Sequence, residues 1–246
     1  MNDLTRSLLR AISKYDMDLQ KEYGAVRRLE QLSHPYLKQV VSNHMDRIVH
    51  LPERDILVRT FSRDGSIAPV LLFFHGGGFV TGDFHSYSNV CATLASQTGW
   101  KVVSVNYRLA PEHRYPAALD DALEAYRYLL KKGYPARQIL LCGESAGGGL
   151  IYALCLRLRA EKLPLPCGLI AISPWSDLTQ SGESYVTNRD VDPSMTKELL
   201  DFYAKCYVDD PAIPYCSPLF GDLRGFPPSL LFVGGDEVML DDTRRL

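Results

Sequence analysis

Apolar and polar positions change period several times along the chain, and the changes divide it into elements. From residue 3 to 32, Leu4, Leu8, Leu9 and Ile12, then Tyr23, Val26 and Leu29, recur at helical spacing until His34-Pro35 ends the pattern. Between Asp46 and Phe61 alternation takes over: Ile48 and His50, then Ile56, Val58 and Thr60, predict two antiparallel strands around Pro52. Val70 to Phe74 is an unbroken apolar run, as a strand covered on both faces requires. A helical stretch near Tyr87 to Thr98 and a strand over Lys101 to Val105 follow. Pro116 suits a helix start, Ala117, Leu119, Leu123, Tyr126 and Leu129 supply its apolar face, and Gly133 closes it. A short strand from Gln138 to Cys142 leads into a second strong helical face, Leu150, Ile151, Leu154, Cys155 and Leu158. Strands over Gly168 to Ile172 and Ser229 to Val233 complete the pattern.

Repeated strand–helix alternation predicts an α/β fold, a mostly parallel central sheet flanked by helices. Residues 176–227 break the rhythm. They are rich in Pro, Asp and Tyr, with one helical stretch near Met195 to Tyr207. The expected organisation is an N-terminal helical cap segment at 1–45, an α/β core at 46–175 and 228–246, and a cap insertion at 176–227.

Composition narrows the function classes. Of 246 residues 46% are apolar and 23% charged, and the formal net charge is −2, so no general attraction to nucleic acid or anionic membrane is implied. The apolar runs are too short to span a bilayer, and MNDLTRSLLR lacks the apolar core of a signal peptide. Six cysteines without metal spacing read as reduced, mostly buried thiols, which points to a cytoplasmic protein with no metal or organic cofactor. Asp120 and Asp121 read as helix-surface acids.

Chemistry concentrates at two glycine motifs that follow predicted strands. Gly143-Glu144-Ser145-Ala146-Gly147 fits G-x-S-x-G between a strand and a helix, the setting of a nucleophile elbow that lifts a serine hydroxyl clear of the sheet. The helix start points free N–H groups at the place where an anion would form. His75-Gly76-Gly77-Gly78-Phe79 lets bare backbone approach a substrate oxygen, and no GK[ST] follows to suggest a phosphate loop. Ser145 is the candidate nucleophile, and Gly77, Gly78 and Ala146 are the candidate oxyanion donors.

The chain resembles the hormone-sensitive lipase family of α/β-hydrolases, the bacterial family IV carboxylesterases. HGGGF at 75–79, NYRLAPEHRYPAALDDA at 106–122, GESAGGG at 143–149, SPWSDLTQSGESY at 173–185 and SPLFGDLRGFPPSLLFVGGDEVMLDD at 217–242 carry the likeness. It implies an α/β-hydrolase fold with a helical cap and hydrolysis of short-chain acyl esters through an acyl-enzyme. It places the catalytic acid after the strand ending at Val233, where registering on Leu240-Asp241-Asp242 selects Glu237 and registering on aspartate identity selects Asp236. The family histidine falls about thirty residues beyond the acid, and here no histidine follows His113. His75 and His113 belong to motifs the family uses structurally. The resemblance therefore implies a hydrolase lacking its last strand, helix and histidine, a monomer or a dimer formed by some contact other than that strand, acting on a small-molecule ester. The alternative is a catalytically silent ligand-binding protein on the same scaffold, as in plant gibberellin receptors.

Overall fold

The computed structural model describes residues 44–50, 55–61 and 69–246, so the helices expected over 3–32, and nearly all of the 1–45 cap segment, lie outside the described residues. Seven strands form one sheet: β1 (His44–His50), β2 (Asp55–Phe61), β3 (Val70–Phe74), β4 (Lys101–Asn106), β5 (Ile139–Glu144), β6 (Gly168–Ile172) and β7 (Ser229–Phe232). Their order across the sheet is β1-β2-β4-β3-β5-β6-β7. The β1/β2 and β2/β4 pairs are antiparallel, and the remaining pairs are parallel. The helices are α1 (Ser88–Thr98), α2 (Ala117–Lys131), α3 (Ala146–Ala160), α4 (Ser184–Thr187), α5 (Lys197–Tyr207) and α6 (Leu240–Arg245).

Strand periodicity of two explains why β3 is apolar throughout. Val70, Leu72 and Phe74 join the larger core with α2 and α3, while Leu71 and Phe73 face the other way, into a second cluster with Cys91 and Ala95 of α1. All five are buried. α3 is buried along most of its length, so its amphipathic signal is weak, whereas α2 keeps charged residues on its outer face. β7 closes one side of the described sheet and leaves Leu230 and Phe232 about half exposed, at 53% and 51%.

Three expectations shift. β5 runs to Glu144 rather than Cys142, so the first two residues of the serine motif are still strand. α5 starts at Lys197, two residues after Met195, because the Thr196 hydroxyl caps it by accepting the Leu199 N–H at 3.2 Å. Asp121 is not a surface acid: it is buried and accepts the Arg108 backbone N–H at 2.9 Å and its guanidinium at 3.0 Å. Between β6 and β7 the chain forms α4, α5 and a 3-10 turn at Pro218–Phe220.

Candidate active site

Strand register brings four loops to one edge of the sheet. Phe74 pairs with Gly143, Glu144 with Ile172, and Ile172 with Phe232. The residues that follow these ends, His75 to Gly78, Ser145, Ser173 and Gly234 to Glu237, therefore stand side by side at the C-terminal edge, where open parallel sheets place their ligands.

Ser145 has φ 53° and ψ −119°, a left-handed backbone that non-glycine residues rarely adopt. The surroundings hold it there. Its N–H donates to the Ile172 carbonyl at 2.9 Å, and its carbonyl accepts the Gly149 and Trp175 N–H groups at 3.0 and 2.9 Å. Strain of this kind persists only where neighbours over-determine it. The residue is almost wholly buried. Ala146 and Gly147 open α3, so their N–H groups belong to the unpaired first turn. Gly147 packs against backbone: a Cβ there would collide with the carbonyl oxygens of Phe74 and His75. That close approach seats the 75–78 loop beside the elbow.

In this loop Gly77 and Gly78 have φ values of 112° and 62°. The Gly77 carbonyl turns away to accept the N–H groups of Val80 and Thr81 at 3.0 and 2.8 Å. The ring of Tyr203, on α5, lies directly against Gly78 and would clash with any side chain there. Phe79 stacks on Tyr207 with centroids 4.0 Å apart. His75 is fully buried, stacked on Tyr107 at 4.1 Å, and its Nδ1 lies 2.7 Å from the Gly76 carbonyl. Burial pushes its pKa down to about 4, so the imidazole is neutral near pH 7. Tyr107 Oη donates to the His75 carbonyl at 2.7 Å and braces the loop from behind.

The two candidate acids differ in setting. Asp236 is exposed. Glu237 is half-buried; its Oε1 accepts Ser173 Oγ at 2.9 Å and the Gly234 N–H at 2.7 Å. Asn188, just past α4, donates its side-chain amide to the Glu237 carbonyl at 2.8 Å and the Gly235 carbonyl at 3.1 Å, tying the 234–237 loop to the segment between β6 and β7. Of the other histidines whose side chains are described, His85 faces Arg59 at 3.0 Å and His113 is exposed. Among the described residues no cluster of three potential metal ligands occurs, and no helix is long and apolar enough to cross a membrane.

Four contributors were not legible in the sequence. Ser173 follows the end of β6 with φ 47°, and only the strand register reveals that it meets Glu237. Tyr203 and Asn188 reach the site from the segment between β6 and β7. Glu144, the variable position of the serine motif, carries a carboxyl that accepts a hydrogen bond from Tyr87 Oη.

Residues 71–246 match the model of the alpha/beta hydrolase fold family. An esterase of Acinetobacter venetianus is 40% identical over 183 residues, 73% of this chain and 60% of that protein. An acetyl-hydrolase of Streptomyces hygroscopicus is 39% identical over 191 residues, 77% of this chain and 63% of that one. The chain thus spans less than two thirds of the length of these two curated relatives. Among solved structures, an esterase from the bacterial hormone-sensitive lipase family superposes with a TM-score of 0.84 at 34% identity, covering 99% of this chain and 81% of the other. The chain belongs to the hormone-sensitive lipase family of α/β-hydrolases.

Proposed function

We propose that this chain carries the nucleophile and oxyanion machinery of a serine carboxylesterase acting on short-chain acyl esters. The observation that carries the reading is Ser145, held at positive φ between β5 and α3 with the glycine loop 75–78 seated against it. Ser145 Oγ attacks the ester carbonyl and passes its proton to a general base. The N–H groups of Gly77, Gly78 and Ala146 receive the oxyanion, and one such donor is worth about 3–4 kcal/mol of transition-state stabilisation. The alcohol leaves with the proton, and water hydrolyses the acyl-enzyme. Glu237, fixed by Ser173 and Gly234, is the acid that orients the base. The base is a histidine following the acid, a residue type these 246 positions do not hold beyond His113. Residues 176–227, with α4 and α5, serve as the cap. The family's esterase and acetyl-hydrolase relatives favour this reading over a silent binding protein.

The test is hydrolysis of p-nitrophenyl acetate and butyrate, with and without added imidazole as an external base, together with fluorophosphonate labelling mapped by mass spectrometry. Label on Ser145, and hydrolysis that imidazole accelerates and Ser145→Ala abolishes, are expected. Equal turnover by Ser145→Ala would overturn the assignment.

A further inference from the structure

Glu144 stands between the glycine and the serine of the nucleophile motif, yet its carboxyl turns toward the oxyanion loop. Tyr87 Oη donates to its Oε2. A Cβ built on Gly76 would strike the same oxygen and would lie 2.8 Å from Tyr87 Oη, so carboxyl, phenol and Gly76 backbone meet at one point. The adjoining Gly76 backbone works against the rise that burial gives the carboxyl's pKa. Tyr87 immediately precedes α1, and its ring lies 5.9 Å from His75 and 5.7 Å from Phe73. Glu144 therefore joins three elements: the end of β5 that presents Ser145, the loop after β3 that presents Gly77 and Gly78, and the start of α1. Tyr107 holds the same loop through the His75 carbonyl.

We propose that Glu144 is a positioning residue that anchors Gly76 through its carboxyl and thereby fixes the N–H groups of Gly77 and Gly78 relative to Ser145. The proposal rests on the esterase reading above. It follows from geometry: a rigid link of one side chain connects nucleophile and donors, so their separation does not depend on the glycine run holding its own shape. Glycine has the largest backbone freedom of any residue, and three in succession need an external constraint to present donors without reorganisation during reaction. Burial raises the Glu144 pKa, and the nearby charge of Glu237 raises it further, which agrees with a carboxyl enclosed at the site rather than solvated.

Two readouts on the 246-residue chain test the anchor. The first is the amide shifts of Gly76, Gly77 and Gly78 with 15N-glycine labelling, which do not depend on turnover. Glu144→Ala is expected to shift or broaden all three, whereas Glu144→Gln, which keeps acceptor oxygen at the same reach, restores most of the wild-type pattern. Tyr87→Phe gives a smaller change in the same direction. The second is Ser145-dependent hydrolysis of p-nitrophenyl acetate in imidazole. Glu144→Ala is expected to lower kcat by roughly 10- to 100-fold with KM nearly constant, since a displaced donor weakens only the transition state, and Glu144→Gln to recover most of that loss. Unmoved glycine shifts in Glu144→Ala, or Glu144→Gln as impaired as Glu144→Ala, would overturn the anchor. The expected glycine shifts in the variants, with no Ser145-dependent turnover in the parent chain, would leave the anchor standing and sink the esterase reading instead.

Discussion

Glu237 and Ser173 meet through a single hydrogen bond of 2.9 Å, from Ser173 Oγ to Glu237 Oε1, and the same oxygen takes the Gly234 N–H. Two donors on one carboxylate oxygen fix the side chain. Asp236, one residue earlier, is exposed. In a chain supplied with its base, Glu237→Gln is expected to lower kcat by about 10³–10⁴, the scale seen when the orienting acid of a triad is neutralised. Asp236→Asn should stay within about twofold. Steady-state kinetics of the two variants decides between the carboxylates.

Gly147 measures how tightly the two glycine loops are joined. Gly147→Ala would drive a methyl into the carbonyls of Phe74 and His75, which are backbone and cannot swing aside. A loss of about 3 kcal/mol is expected. Gly235→Ala, with nothing within 4 Å of the new methyl, should stay within about 0.5 kcal/mol. Urea unfolding of both variants checks the contrast.

Arg108 and Asp121 form an asymmetric pair: the guanidinium is 31% exposed and the carboxylate 2%. Arg108→Met leaves the carboxylate buried without its counter-charge and should cost about 3 kcal/mol or more. Adding Asp121→Asn should recover part of that, because the amide oxygen still accepts the Arg108 backbone N–H. Chemical denaturation of the single and double variants provides the test.

Asp242, in α6, is fully buried and accepts the N–H groups of Ser176 and Asp177 at 2.8 and 2.9 Å and Tyr185 Oη at 3.0 Å. Burial outweighs these bonds and pushes its pKa up to about 7. The folded protein thus holds this proton more tightly than the unfolded chain does. The resulting stabilisation is complete below the unfolded pKa near 4 and is lost as pH rises through about 7. Asp242→Asn removes the titration while keeping an acceptor for both N–H groups. Relative to the parent, the variant should gain on the order of 2 kcal/mol between pH 5 and pH 8. Thermal or urea unfolding across that range would show it, and a parallel pair of pH curves would contradict it.

The core strands were legible because burial on both faces writes an unbroken apolar run, as in Val70 to Phe74, and the serine and glycine motifs were legible because tight backbone turns demand particular residues. Asp121 was misread because its burial depends on Arg108, thirteen positions away, and a helical period cannot report a partner across a loop. α6 escaped notice because LDDTRR has no apolar period of its own and is held by Asp242 reaching into the 176–177 backbone. The part Glu144 plays was hidden for a similar reason: nothing in the motif says that Tyr87, 57 positions earlier, will stand beside it.

The ring of Tyr203 against Gly78 makes the glycine loop 75–78 only as durable as α5. α5 is a surface helix of eleven residues with four buried, whereas α3 behind Ser145 is buried almost throughout. Helices of that kind open locally well before the core does. When α5 frays, the wall over Gly78 goes with it while Ser145 stays in place. Amide hydrogen exchange should therefore group Gly78 with α5 rather than with β3, the strand from which its loop emerges.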